Sequence, residues 1–98
     1  MPKFLIERDV PGAGDLTPDQ LQQMAQRSMC AMEHLREYRW LQSYVAGDKV
    51  FCVHEAANEE SIREHSRRGG FPITTITKID RVIDPRTAQP RAAMIAGG

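Results

Sequence analysis

Short runs of apolar and β-branched residues along the chain are separated by two longer stretches whose apolar positions recur every three or four residues. Residues 3–8, centred on Phe4, Leu5 and Ile6, read as a first strand, and the Pro, Gly and Asp of residues 9–15 read as a loop. Thr17, Pro18 and Gln20 then stand at the N-cap, N1 and N3 positions of a capping box, in which the hydroxyl accepts from an orphan amide while the glutamine reaches back. Behind that cap, Leu21, Met24, Ala25, Ser28, Met32 and Leu35 form one stripe, predicting an amphipathic helix over residues 18–36. Residues 38–45 are aromatic and β-branched, 46–48 form a hairpin turn, and 49–55 give the return strand. Asn58 caps a second helix whose first turn carries Glu59 and Glu60, and Gly69-Gly70 ends it. Residues 73–83, Thr-rich, read as a last strand with a bulge near Thr77.

The order is β, α, β, β, α, β, and it predicts an α+β, ferredoxin-like βαββαβ fold. Right-handed crossovers put both helices on one face of a four-stranded antiparallel sheet. Residues 1–84 are read as the domain, and 85–98 as a tail without periodicity that packs on a partner subunit. Strand alternation sorts the side chains into two sets. Phe4, Ile6, Leu41, Ser43, Val45, Phe51 and Val53 are assigned to the helix-covered core. Leu5, Glu7, Trp40, Gln42, Tyr44, Val50, Cys52 and His54 are assigned to the bare face, where so much apolar surface implies a homodimer or a pocket.

Composition narrows the function. Thirteen basic residues balance thirteen acidic ones, and Arg63, Arg67 and Arg68 share their segment with Glu59, Glu60 and Glu64. That pattern fits a solvated helix face, and nucleic acid is not expected as a partner. No apolar run approaches the length of a bilayer span, so no membrane role is expected, and the charged N-terminal stretch does not resemble a signal peptide. Two distant cysteines, Cys30 and Cys52, match no zinc spacing and are expected as thiols in the cytoplasm. Gly12-Ala13-Gly14-Asp15 lacks the residues of a nucleotide-binding loop and reads as a turn.

Three segments bring a family into view: residues 6–14, IERDVPGAG; residues 62–72, IREHSRRGGFP; and Val82-Ile83-Asp84-Pro85. Over roughly residues 3–86 the chain resembles a small bacterial domain family of unknown function whose members are often described as nickel-binding. The stretch from His65 to Pro72 is the most specific part, and the strands around Trp40 to Tyr44 and Cys52 are also similar. At position 54 the family is associated with tyrosine, so His54 is a departure. The resemblance implies a dimeric ferredoxin-like fold and divalent-metal binding; it implies no reaction.

His65 lies three residues after Ile62 on the inward side of the second helix, and a neutral imidazole is a ligand for nickel, copper or zinc. The expected metal partners are Glu64, Glu7 and His54, drawn from either subunit. The plainer alternative is that His65 closes the helix end by donating to a backbone carbonyl. Trp40, Tyr44 and Cys52 are expected to line a small-molecule pocket. The leading expectation is a binding protein for a divalent transition metal of the nickel type, without turnover. The alternative is a dimeric α+β barrel enzyme that takes a small hydrophobic molecule in a sheet-lined pocket, with Glu7 or His54 as acid–base.

Overall fold

The two capping signals in the sequence set the helices. In the computed structural model, which describes residues 1–90, the Thr17 hydroxyl accepts from the Gln20 amide while the Gln20 side chain accepts from the Thr17 amide, opening helix α1 at Pro18–Met32. Asn58 accepts from the Ser61 amide at the start of helix α2, Glu59–Gly69. Gly70 ends α2 with φ 70°, a left-handed conformation in which a side chain would be strained. Helix α1 stops four residues before the expected end; a short turn and Glu37, itself at φ 53°, lead into the next strand.

Strands β1 (Lys3–Asp9), β2 (Tyr38–Ala46), β3 (Lys49–Ala56) and β4 (Thr75–Ile79) form an antiparallel sheet in the order β2-β3-β1-β4. Two helices over such a sheet make the α+β, ferredoxin-like arrangement expected from the pattern. The fourth strand is shorter than the predicted 73–83, and its pairing with β1 runs without interruption from Lys3↔Ile79 to Glu7↔Thr75, so no bulge lies at Thr77. Residues 10–15 form a bend with a short 3-10 turn, Ala13–Asp15, pinned to the β2–β3 hairpin. The Val10, Gly12 and Gly14 amides donate to Asp48 O, Asp48 Oδ1 and Gly47 O at 2.7–2.9 Å. These amides are therefore engaged with the hairpin and do not cradle a phosphate. After β4 the chain makes a second 3-10 turn, Pro85–Ala88, capped by Asp84 and exposed. The expected packing of the 85–98 tail on a partner lies mostly outside the described residues.

The core lies between sheet and helices: Phe4, Ile6, Ala13, Val50, Cys52, Ala56 and Ile62. Burying side chains such as Ile6 and Ile62, both at 0% exposure, contributes about 1.5–3 kcal/mol each. Register corrects the face assignment. Phe4 pairs with His54, Ile6 with Cys52 and Arg8 with Val50, so His54, Cys52 and Val50 face the helices, while Phe51 and Val53 lie on the bare side. Strand β3 is apolar on both faces, so alternation alone did not reveal which set points inward.

In β2 the partner of His54 is Trp40 and that of Val53 is Gln42, so Leu41 is an extra residue in a bulge. The bulge reverses the phase. Trp40 belongs to the helix side with Ser43 and Val45, and Leu41 sits with Gln42 and Tyr44 on the bare side. Phe4, Ile6, Ser43, Val45, Leu5, Glu7, Gln42 and Tyr44 lie on the faces expected of them.

Candidate functional site

Helix α1 packs against α2 and stands off the sheet. The residues that α1 buries fully are small, Ser28 and Ala31, while Leu21 and Met24 reach only part of the way inward. The space left beneath it is a half-open cavity of about 510 Å3. Leu21 and Met24 of α1, Trp40 of β2, Cys52 and His54 of β3, and His65 and Phe71 at the end of α2 line it. A cavity of this size, mostly apolar with a few converging polar groups, has the character of a small-ligand site.

The polar groups form an aromatic stack around two histidines. His65 is 1% exposed and His54 likewise. The His65 ring lies nearly parallel to Tyr38 and Phe71, at centroid distances of 5.1 and 5.7 Å, and His54 meets it edge-on at 5.0 Å. His65 thus has the packing role that sequence spacing did not disclose.

Its Nε2 lies 3.2 Å from the Ser28 carbonyl oxygen and 3.2 Å from Ser28 Oγ. Because a carbonyl only accepts, the proton belongs on Nε2. His65 thus donates to a backbone carbonyl, as the plainer sequence reading has it, but that carbonyl lies within α1 and not at the end of its own helix. Nδ1 is then a bare lone pair. It is the one buried side-chain nitrogen or oxygen without a hydrogen-bond partner among the described residues. An imidazole tied to a backbone carbonyl through one nitrogen, with the other free, has the arrangement of a metal-ligating histidine. His54 Nδ1 lies 2.5 Å from Tyr38 Oη. In the tautomer that donates from Nδ1 to Tyr38, its Nε2 lone pair is free as well.

Burial holds both imidazoles uncharged. Desolvation, reinforced by His65 and Arg8, depresses the His54 pKa to about 3. Desolvation also lowers that of His65, against an opposing contribution from its bond to Ser28. Burial pushes the Tyr38 phenol up, so it stays uncharged and its oxygen can accept from His54 Nδ1.

The structure brings together His54 and His65, with Trp40 and Cys52 beside them on the same cavity wall, but not the two carboxylates. The Glu7 carboxylate, on the bare face, accepts from Lys49 at 2.8 Å and from Thr75 at 3.3 Å. Glu64 is held by Arg67 and Arg68 at 2.6 and 2.7 Å, which keep its carboxyl below the usual range. Tyr44 is exposed on the bare face. Accordingly, among the described residues no three His, Cys, Asp or Glu side chains gather as a metal cluster. The cavity also differs from the expected sheet-lined pocket, because it lies on the helix side.

Arg8, absent from the sequence-based set, is 3% exposed and donates from Nη1 to Ser66 Oγ and Pro72 O, both at 2.9 Å. The alternation Phe4, Ile6, Arg8 was the signal that places it inward.

Fold and site together define a ferredoxin-like α+β domain with a histidine-bearing cavity between one helix and the sheet. A family model described as nickel responsive protein SCO4226-like matches residues 4–79, and the chain belongs to that family. The crystal structure of SCO4226 from Streptomyces coelicolor A3(2) superposes with a TM-score of 0.69 at 19% identity, covering 83% of this chain and 99% of that one. At that identity the likeness establishes the fold. No curated protein matches the chain. No helix among the described residues is long and apolar enough to cross a membrane.

Proposed function

We propose that this protein binds a divalent transition metal of the nickel class through His65 Nδ1, with His54 as a second imidazole, and that it works as a binding protein without turnover. The observation that carries the reading is the buried, unpartnered Nδ1, since an orphaned acceptor in an apolar wall is costly unless a ligand satisfies it. The family's name supports the choice of metal, and neutral nitrogen donors suit nickel, copper or zinc over calcium or magnesium. The residues fit such an ion as two of its ligands, not as a full set. The bare sheet face, with Leu5, Leu41 and Tyr44 exposed, supports a homodimer as the working form. The thiols of Cys30 and Cys52, both unpaired, suit a reducing compartment such as the cytoplasm.

Calorimetry with nickel chloride on the parent and on His65→Ala tests the reading. The parent is expected to bind and the variant to lose binding while keeping its far-UV circular dichroism. Equal affinity in the two places the metal elsewhere, and absence of binding in the parent removes the metal reading.

A further inference from the structure

The cavity carries positive charge that no acidic side chain among the described residues balances. Arg8 is buried, yet among the described residues it has no carboxylate partner; its two bonds go to a hydroxyl and a carbonyl, both through Nη1. Arg27, on α1 at the cavity wall, is likewise unpaired among the described residues, and both guanidiniums lie over the Phe71 ring, at 5.3 and 4.8 Å from its centroid. Asp9 also lines the cavity, but its carboxylate is taken by Lys49 at 2.9 Å. A buried guanidinium without a counter-ion is unfavourable, and one near two imidazoles opposes a bare divalent cation between them. An anion removes both difficulties. Two imidazoles also leave most of a nickel ion's coordination positions unfilled. The volume of about 510 Å3 far exceeds what a single ion with its waters requires, and suits a small organic molecule.

Building on the metal reading above, we propose that the cavity takes the ion as a complex with a small organic carboxylate chelator. The chelator's carboxylates complete the metal's coordination and pair with Arg8 and Arg27, in the charge-assisted geometry that guanidinium favours. Its carbon skeleton lies against Leu21, Met24 and Trp40. Trp40 is the protein's single tryptophan, so its emission reports on the cavity directly.

The test titrates the full chain with nickel chloride alone, citrate alone and nickel–citrate, read by calorimetry and Trp40 fluorescence. Nickel–citrate is expected to bind one per chain, to shift the Trp40 emission, and to bind at least about tenfold more tightly than either component. Arg27→Ala, a change at an exposed position, should weaken nickel–citrate binding by about fivefold or more. If nickel chloride alone binds as tightly and citrate strips it from the protein, the chelate proposal falls while the metal reading stands. If citrate alone binds as tightly and nickel adds nothing, or if none of the three binds, both fall. An Arg27→Ala variant with parental affinity for nickel–citrate overturns the pairing with guanidinium.

Discussion

At the scale of single residues, His54 and His65 are held neutral in a place where charge is unwelcome, and this ties stability to pH. An imidazole in the unfolded chain takes a proton near pH 6.5, whereas folded His54 resists until about pH 3. Below about 6.5 the unfolded state therefore binds more protons, and stability falls as pH drops toward 3. For His54 the loss approaches about 1.4 kcal/mol per pH unit within that window, and the lowered pKa of His65 acts in the same direction. Urea denaturation of the metal-free protein should show a steady fall in stability between pH 7 and pH 5; a flat profile would mean that the histidines are charged or solvated in the fold. Spacing from Ile62 was enough to point His65 inward. It did not reveal the aromatic stack, because Tyr38 and Phe71 reach the histidine from outside the helix. Arg8 passed unnoticed because a charged residue at a strand end ordinarily faces water.

At the scale of elements, the Thr17 capping box supplies partners for two amides at the start of α1. Thr17→Ala is expected to destabilise the domain by about 1 kcal/mol, seen as a lower denaturation midpoint with an unchanged slope. A parental midpoint would show that α1 is held by its contact with α2 alone. Element order and both helix starts were legible because caps and glycines act locally, through hydrogen bonds within a few residues. The facing of β2 and β3 was not legible. The Leu41 bulge is one residue of surplus length seen only against the partner strand, and it carries Trp40 from the expected face to the cavity wall. In β3 both faces are apolar, so the sheet neighbour, not the pattern, decides that Cys52 and His54 point inward. The end of α1 also escaped the pattern, since Leu35 continues the helical stripe after the backbone has turned.

At the scale of the whole molecule, the two faces of the sheet have separate uses. The helix side encloses the cavity, while the bare side leaves Leu5 and Leu41 each 37% exposed and Tyr44 53% exposed. The proposed dimer covers that side. Light scattering should give twice the chain mass for the parent, and the chain mass for a Leu5→Lys, Tyr44→Lys double variant that stays folded; a monomeric parent would end the dimer proposal. On the helix side, anomalous diffraction at the nickel edge from nickel-loaded crystals locates the metal. One strong peak per chain is expected in the cavity beneath α1, within bonding distance of His65 Nδ1. A peak instead at Glu7 or Glu64, or none in the cavity, would contradict the proposed site.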